Sequence, residues 1–295
     1  MFRTHLAAFI RYLQTEKRYS SHTLTAYSKD LEQAAGFFEE SYEINDAAAL
    51  SHFHLRSWLA SMRADGLEAR SLNRKISSLS SFFKYLMREG MLEKNPARQV
   101  KALRTPERLP QYLKESEAEV MLGELQFSEG FAGATERLLL ELLYSCGLRR
   151  TEVTGLKESN VEWSLRQIRV LGKGSKERII PVSPVLLEDI VAYIELKKEL
   201  PVASETLLVL EDGKPLYAMW VYRTVKHYLQ QVSTLKKRSP HVLRHSFATH
   251  LLANGANIQA IRDLLGHSSL AATQVYTHTS IDKLKDLHRR LHPRG

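Results

Sequence analysis

The side chains best suited to chemistry in this chain are histidines and arginines in its C-terminal half. Eight of the twelve histidines lie beyond residue 226: His227, His241, His245, His250, His267, His278, His288 and His292. His241 and His245 are four residues apart and would share a helix face, as zinc ligands often do. The helix of a zinc peptidase has Glu directly after its first histidine, but Val242 stands there, and no nearby Cys or carboxylate offers a third ligand. We therefore expect no metal site.

Arg244 is a better partner for His241, because a spacing of three places both side chains on one helix face. An imidazole beside a guanidinium fork suits a phosphodiester. The pattern His-x-x-Arg is common and mostly structural by itself, so its meaning depends on the motifs that accompany it.

The N-terminal hundred residues have the three-and-four spacing of apolar residues that is typical of amphipathic helices. Ser20–Ser21 and the region of Gly90 mark helix ends, and four helices forming a small bundle are expected. The apolar positions are Phe2, Leu6, Phe9, Leu13, Leu24, Tyr27, Leu31, Phe38, Leu55, Trp58, Leu59, Met62, Leu72, Ile76, Leu79, Phe83 and Leu86. The basic residues predicted on its exposed faces are Lys17, Arg18, Arg70, Arg74 and Lys75.

Two prolines, Pro106 and Pro110, interrupt this pattern and predict an extended linker over residues 105–112. It would separate a helical domain of residues 1–104 from a second domain of residues 113–295. In the second domain, helical patterns cover about 115–127, 131–146, 184–199, 217–232 and 240–253, the last with Ser239 as N-cap and Pro240 in its first position. Alternating apolar residues about a Gly-Lys-Gly-Ser turn at 172–175 predict a β-hairpin within 160–182. The expected fold is mainly α with a small β-sheet.

Composition favours a polyanionic partner such as nucleic acid, but only weakly. The 295 residues contain 42 Lys and Arg against 33 Asp and Glu, a net charge of +9, of which +5 falls before the split at residue 105 and +4 after it. A lone Cys146 excludes an internal disulfide framework and a cysteine-rich zinc site. No apolar run approaches the roughly 18 residues that span a bilayer, and the N-terminus has no signal-peptide pattern. We therefore expect a cytoplasmic protein without membrane contact.

Five motifs in order give these residues a context. They are Leu-Leu-Tyr-Ser-Cys-Gly-Leu-Arg-Arg-Thr-Glu at 142–152, Gly-Lys-Gly-Ser-Lys-Glu-Arg at 172–178, His-Val-Leu-Arg-His-Ser-Phe-Ala-Thr-His-Leu at 241–251, Leu-Leu-Gly-His-Ser-Ser at 264–269 and Thr-Gln-Val-Tyr-Thr-His at 273–278. The sequence thereby resembles the tyrosine recombinases, or phage-integrase family, and within it most closely the bacterial Xer recombinases. Residues 16–27 are similar to the DNA-clamping domain of Xer proteins, so the resemblance covers nearly the whole chain. It implies a helical SAM-like core-binding domain followed by an α+β catalytic domain.

The resemblance implies six catalytic residues, and no expected one is missing. They are Arg149, Lys173, His241, Arg244, His267 and the nucleophile Tyr276. Two arginines would stabilise the charge that develops on a phosphodiester under attack. A tyrosine has a free pKa of about 10 and needs a base, for which His241 is the best candidate. Lys173 would protonate the leaving 5′-oxygen and His267 would hydrogen-bond the transition state. Neither a metal nor a nucleotide cofactor is needed.

Three further features of the sequence each allow two interpretations. Arg150 suits either a phosphate contact or an ordinary exposed surface, and Glu152 suits either a carboxylate that orients an arginine or a surface pair. The stripe Ile281, Leu284 and Leu287, with Leu291, predicts a helix at about 281–292. The resemblance implies that this helix docks on a neighbouring subunit, while packing on its own domain is the alternative.

The sequence thus predicts a two-domain enzyme that clamps duplex DNA and recombines it through a 3′-phosphotyrosine and a Holliday junction. By resemblance, four subunits, identical or of two related recombinases, join two DNA sites. Chromosome dimer resolution, with a septal DNA translocase as candidate activator, is the expected role. An integrase or transposase of a mobile element, a type IB topoisomerase and a DNA-binding protein without catalysis are the rivals.

Overall fold

The structure, a computed structural model, describes residues 2–105, 111–172 and 177–266. The chain divides into two compact units, Met1–Arg108 and Leu109–Gly295. The helix predicted at about 281–292 lies outside the described residues. Among the described helices, none is both long enough and apolar enough to cross a membrane.

The first unit contains the four helices that the apolar spacing predicts. They are α1 (Phe2–Thr15), α2 (Ser21–Tyr42), α3 (His52–Ala64) and α4 (Ala69–Arg88). Ser20 is the N-cap of α2, and its side chain accepts a hydrogen bond from the backbone of Thr23. The core of the bundle is rich in phenylalanine, and Phe9, Phe38 and Phe82 are almost completely buried in it. Burial of these rings supplies the main driving force for the unit.

The prediction that Lys75 lies on an exposed face is wrong. Its side chain is only 5% exposed, and its ammonium donates to the carboxylate of Asp30 (3.0 Å) and to Gln33. Residue 75 follows Leu72 by three positions and precedes Leu79 by four, so it lies on the apolar face of α4. The ion pair with Asp30 compensates for the loss of hydration at this position.

The second unit is helical with a small sheet. Its helices are α5 (Glu115–Gly123), α6 (Gly130–Ser145), α7 (Arg150–Thr154), α8 (Pro184–Lys197), α9 (Ala218–Val232), α10 (Pro240–Ala253) and α11 (Ile258–Leu265). Helix α5 ends four residues earlier than predicted, and the short α7 was not predicted. Ser239 holds the N-cap position of α10 as expected, but its side chain makes no capping hydrogen bond.

The sheet has three antiparallel strands in the order β1 (Val161–Glu162), β2 (Gln167–Leu171) and β3 (Glu177–Pro181). Strands β2 and β3 form the predicted hairpin, with Ile168 opposite Ile180 and Val170 opposite Arg178. The alternation that turns Ile180 towards the core therefore turns Arg178 inwards as well. The expected fold class, mainly α with a small β-sheet, is confirmed.

Helix α6 lies at the centre of the second unit, in contact with α8 and α10. Its residues Leu139, Leu140, Leu142 and Leu143 are fully buried, so more than one face of the helix contacts protein. Cys146, at its end, is also fully buried, and burial raises the pKa of its thiol to about 12. Cys146 therefore packs as a small buried side chain.

Candidate active site

Arg149 lies in a tight loop where α6 ends and α7 begins. Gly147 adopts a left-handed conformation (φ 56°), and a Cβ atom there would lie 2.6 Å from the ring of Phe247. Only glycine fits both the conformation and this close approach to α10. The loop therefore packs directly on α10, and Arg149 follows it as the N-cap residue of α7.

Glu152 fixes the conformation of this loop from within α7. Its Oε2 accepts a hydrogen bond from the backbone N–H of Arg149 (2.7 Å), and its Oε1 accepts one from Arg149 Nη1 (2.6 Å). The same carboxylate accepts two hydrogen bonds of 2.8 Å from Arg178, one at each oxygen. The interpretation of Glu152 as a carboxylate that orients an arginine is thus confirmed, and it orients two.

Arg244 approaches the same carboxylate from α10. Its guanidinium is buried, with Nη1 at 3.8 Å from Glu152 Oε2. Nη1 donates to the carbonyl of Gly147, and Nη2 donates to the carbonyl of Leu265. Three elements distant in sequence, α7, β3 and α10, therefore bring Arg149, Arg178 and Arg244 around a single glutamate.

The C-terminal end of α11 is a second anchor for these arginines. Leu264 O accepts from Arg178 Nε (2.7 Å), Leu265 O accepts from Arg244 Nη2, and Gly266 O accepts from Arg149 Nη2 (3.2 Å). The last carbonyl groups of a helix have no partner within the helix and lie at the negative end of its dipole. They are suitable acceptors for guanidinium groups, since they hold a cation without neutralising it.

The electrostatics of the cluster favour an anionic ligand. Burial opposes ionisation of Glu152, but the hydrogen bonds and charge of Arg178, together with the hydrogen bonds of Arg149, lower its pKa from 4.5 to about 2. Burial and the charge of Arg149 lower the pKa of the Arg244 guanidinium to about 9, against the opposing charge of Glu152. One carboxylate faces three guanidinium groups, so the site has an excess of positive charge in a partly desolvated setting.

His241 lies one turn before Arg244 on α10, at a position that is partly open to solvent. Partial burial and then the charges of Arg150, Arg244 and Arg149 lower the pKa of its imidazole below 6.5. The ring is therefore mainly neutral at pH 7 and can accept a proton. Arg149, His241 and Arg244 are the three predicted catalytic residues that the structure brings together. Lys173, His267 and Tyr276 lie outside the described residues, the first between β2 and β3 and the second directly after Gly266 in the sequence.

His250 and His245, two further histidines of the C-terminal half, make hydrogen bonds or ring contacts within the protein. The buried His250 donates from Nε2 to the carbonyl of Leu113 (2.8 Å), and its Nδ1 lies 2.9 Å from the hydroxyl of Tyr144. The backbone N–H of Leu113 donates to Ser246 Oγ (2.8 Å), so two side chains of α10 hold both polar backbone groups of this residue. The ring of His245 packs edge-on against Tyr112. In residues 2–105, 111–172 and 177–266, no group of three or more potential ligands could hold a metal ion.

Arg178 is the member of this arginine cluster that the sequence analysis did not single out. It stands at the end of the second motif but had no assigned role. The sequence did contain a signal for its burial. Arg178 precedes Ile180 by two positions on β3, and side chains two apart on a strand share a face, so an inward-facing arginine is predicted. A buried arginine needs a carboxylate, and Glu152 is the acidic residue of the preceding motif.

The chain matches known protein families over most of its length. Residues 111–282 match the phage integrase family, and residues 6–90 match the phage integrase N-terminal SAM-like domain. A tyrosine recombinase XerC of Halalkalibacterium halodurans is 38% identical over 297 residues, with 98% of this chain and 97% of the relative covered. A tyrosine recombinase XerD of the same organism is 33% identical over 297 residues, with 99% and 98% covered.

The solved structures show the same fold. The XerH site-specific recombinase bound to a palindromic difH substrate, in a post-cleavage complex, has a TM-score of 0.73 at 21% identity, covering 95% of this chain and 83% of that chain. The chain belongs to the phage integrase family and is a tyrosine recombinase.

Proposed function

We propose that this recombinase cuts and rejoins duplex DNA at specific sites through a 3′-phosphotyrosine intermediate. The observation that supports this most is the cluster of Arg149, Arg178 and Arg244 around one carboxylate, with the neutral His241 beside it. The cluster provides positive charge, fixed hydrogen-bond donors and a base in one place, as binding and cleavage of a phosphodiester require.

In the proposed mechanism, Arg149 and Arg244 bind the non-bridging oxygens of the scissile phosphate. Their guanidinium groups are already held by Glu152 and by backbone carbonyls, so little reorganisation accompanies the reaction. Negative charge on those oxygens grows as the nucleophile attacks, and the two arginines therefore stabilise the transition state more than the ground state.

Tyr276 is the proposed nucleophile. Its hydroxyl gives a proton to His241 and its oxygen forms a bond to phosphorus, while the bond from phosphorus to the 5′-oxygen breaks and that oxygen takes a proton from Lys173. His267 hydrogen-bonds a non-bridging oxygen. The phosphotyrosine ester conserves the energy of the broken bond, so a 5′-hydroxyl can religate the strand by the reverse attack without a nucleotide cofactor.

The proposed partners are a duplex recombination site and three further recombinase subunits. The chain aligns along almost its full length with relatives named XerC and XerD, which supports recombinase subunits of one or two related kinds. Both units have a positive net charge, so we expect each to contact the DNA backbone and binding to weaken steeply as salt rises. Chromosome dimer resolution in the cytoplasm, with a septal DNA translocase as activator, is the proposed role.

A nicked suicide substrate tests the mechanism, because loss of the short cleaved strand prevents religation and traps the covalent complex. The wild-type protein should form a protein–DNA adduct that survives denaturing electrophoresis, and the Tyr276→Phe variant should form none. Tyr217→Phe, at an exposed tyrosine at the start of α9, is the matched control and should form the adduct at the wild-type rate. An adduct with Tyr276→Phe would refute the assignment of the nucleophile.

Two further measurements separate the rivals. A topoisomerase would relax a supercoiled plasmid that lacks a recombination site, and a recombinase should not. Deletion of residues 280–295 should preserve DNA binding but impair coordinated strand exchange if this segment docks on a neighbouring subunit. Unchanged recombination by the shortened protein would dismiss that docking.

A further inference from the structure

Arg178 is charged but cannot contact DNA in this structure. Its side chain is 4% exposed, and it projects from β3 into the interior of the second unit, opposite Val170. A buried guanidinium loses its hydration, a loss that only good compensating contacts can offset. The reason for an arginine at this position must therefore be sought inside the protein.

The guanidinium of Arg178 joins two elements, α7 and the end of α11. Both terminal nitrogens donate to Glu152 on α7, and Nε donates to the carbonyl of Leu264 at the end of α11. The stem of the side chain also packs on the end of that helix, since a Cβ atom on Gly266 would lie 3.0 Å from Arg178 Cδ. Arg178 thus contacts both anchors that hold the other two arginines.

Those anchors set the positions of Arg149 and Arg244. Each of these arginines lies at Glu152 and donates to one of the two carbonyls that follow Leu264, that of Gly266 for Arg149 and that of Leu265 for Arg244. A shift of the carboxylate or of the helix end would therefore move both guanidinium groups together.

We propose that Arg178 is a positioning residue for DNA cleavage: it holds Glu152 and the end of α11 so that Arg149 and Arg244 are aimed at the scissile phosphate. The inference rests on the proposed function, in which the latter two arginines bind that phosphate.

Loss of Arg178 has a defined physical consequence. Glu152 would lose two hydrogen bonds and the charge that contributes most to its low pKa. Each oxygen of Glu152 would keep one hydrogen bond from Arg149 and could accept another, and Arg244 Nη1 lies 3.8 Å from Oε2. The carboxylate would then compete with the DNA phosphate for Arg244, and its pKa would rise.

The experiment measures covalent-complex formation on the suicide substrate under single-turnover conditions, together with DNA affinity. Arg178→Met should slow cleavage by about 10-fold or more, as expected for misplaced catalytic groups. Its DNA affinity should stay within about twofold of wild type, because a buried side chain makes no phosphate contact. Arg169→Met is the matched control: it removes an arginine–glutamate pair with Glu162 from the exposed face of the same sheet and should cleave at the wild-type rate.

The pH profile separates positioning from a general loss of stability. The charged groups recorded against Glu152 are Arg149, Arg178 and Arg244. In the wild type Glu152 stays ionised through the working range, whereas in Arg178→Met its raised pKa should make cleavage depend on this carboxylate at acidic pH. This added dependence should disappear in Arg178→Met/Glu152→Gln, since an amide does not titrate, and the acidic fall that remains should match that of the wild type, which is due to His241.

Each outcome decides the inference. Wild-type cleavage by Arg178→Met would overturn it, and so would an acidic loss of cleavage, larger than that of the wild type, that survives Glu152→Gln. If Arg178→Met does not fold, Arg178→Lys provides the same test, because lysine keeps the charge but cannot donate to both anchors in a fork; slowed cleavage with normal DNA affinity supports the inference, and an unchanged rate refutes it. Failure of the proposed function would be seen separately, as an adduct that forms with Tyr276→Phe.

Discussion

Asp30 in the first unit and Glu152 in the second are both buried carboxylates surrounded by cationic side chains, but their partners are arranged differently. Asp30 accepts hydrogen bonds from Arg74, Lys75 and Ser78, all on the single helix α4. The guanidinium of Arg74 remains partly in solvent, which screens its charge. The cluster ties α2 to α4, and little unscreened charge remains.

Glu152 has three guanidinium partners from three elements, and backbone carbonyls hold those cations further. Carbonyls satisfy the donors without cancelling the charge, so positive charge stays in the site. Two kinds of buried ion cluster can therefore be distinguished by the balance of their charges. An acid whose cations are screened or neutralised holds a fold together, whereas an acid outnumbered by buried guanidinium groups prepares a site for an anion.

The largest expected effect comes from Arg244→Gln. It removes a positive charge that the proposed mechanism uses to bind the scissile phosphate. Covalent-complex formation should therefore slow by about 100- to 1,000-fold, as for the loss of a preorganised donor. The rate on the suicide substrate measures this. Wild-type cleavage would show that the excess charge around Glu152 does not serve the phosphate.

His241→Asn should slow cleavage by about 100-fold through loss of the base. The wild-type rate should also fall at acidic pH as His241 becomes protonated, at a pH below 6.5 because burial and the nearby arginines lower the pKa of this imidazole. A pH series with the suicide substrate checks both expectations. The variant should lack this acidic fall, and its persistence would assign the base elsewhere.

Glu152→Gln should slow cleavage by about 10-fold, because the arginines keep their charges but lose their common anchor. It should also change stability. A carboxylate with its pKa lowered from 4.5 to about 2 stabilises the fold by about 3 kcal/mol above pH 4.5, and this contribution is lost as the pH falls towards 2. Urea denaturation at several pH values should show a weaker acid dependence in the variant. A normal cleavage rate would place Glu152 with Asp30 as a purely structural acid.

Asp30→Asn should have the smallest effect on cleavage and a clear effect on stability. It leaves the buried Lys75 without its carboxylate, which should destabilise the first unit by about 3 kcal/mol, while folded protein should cleave within about twofold of the wild-type rate. Urea denaturation and the cleavage assay at low temperature measure the two quantities. Strongly slowed cleavage by folded protein would abolish the distinction between the clusters.

Much of the fold could be predicted from the sequence because local periodicity decides it. The helices of the first unit follow from apolar spacing, and the β2–β3 hairpin follows from alternation about a glycine-rich turn. The errors concern charged residues at core-facing positions. Lys75 was expected on an exposed face and Arg178 was given no role, although their registers place them among Leu72 and Leu79 or beside Ile180. Their burial depends on Asp30 and Glu152, which are distant in sequence and meet them only in the folded chain.

The sequence predicted which catalytic residues the site contains, but not the backbone carbonyls that hold its arginines. Arg149, His241 and Arg244 were named from motifs, and the structure brings them together. The carbonyls of Leu264, Leu265 and Gly266 were beyond prediction, because every residue has a carbonyl and only the folded end of a helix makes these three available. Lys173, His267 and Tyr276 remain predictions.

The attachment of Leu113 has a mechanical consequence. The backbone N–H and carbonyl of this residue are hydrogen-bonded to the side chains of Ser246 and His250, both on α10. Ser246 lies two positions after Arg244 in the sequence. A pull along the chain that enters the second unit is therefore applied to a rigid helix instead of being absorbed by a loose loop. Tension in the polypeptide is therefore transmitted directly to α10, the helix that carries His241 and Arg244.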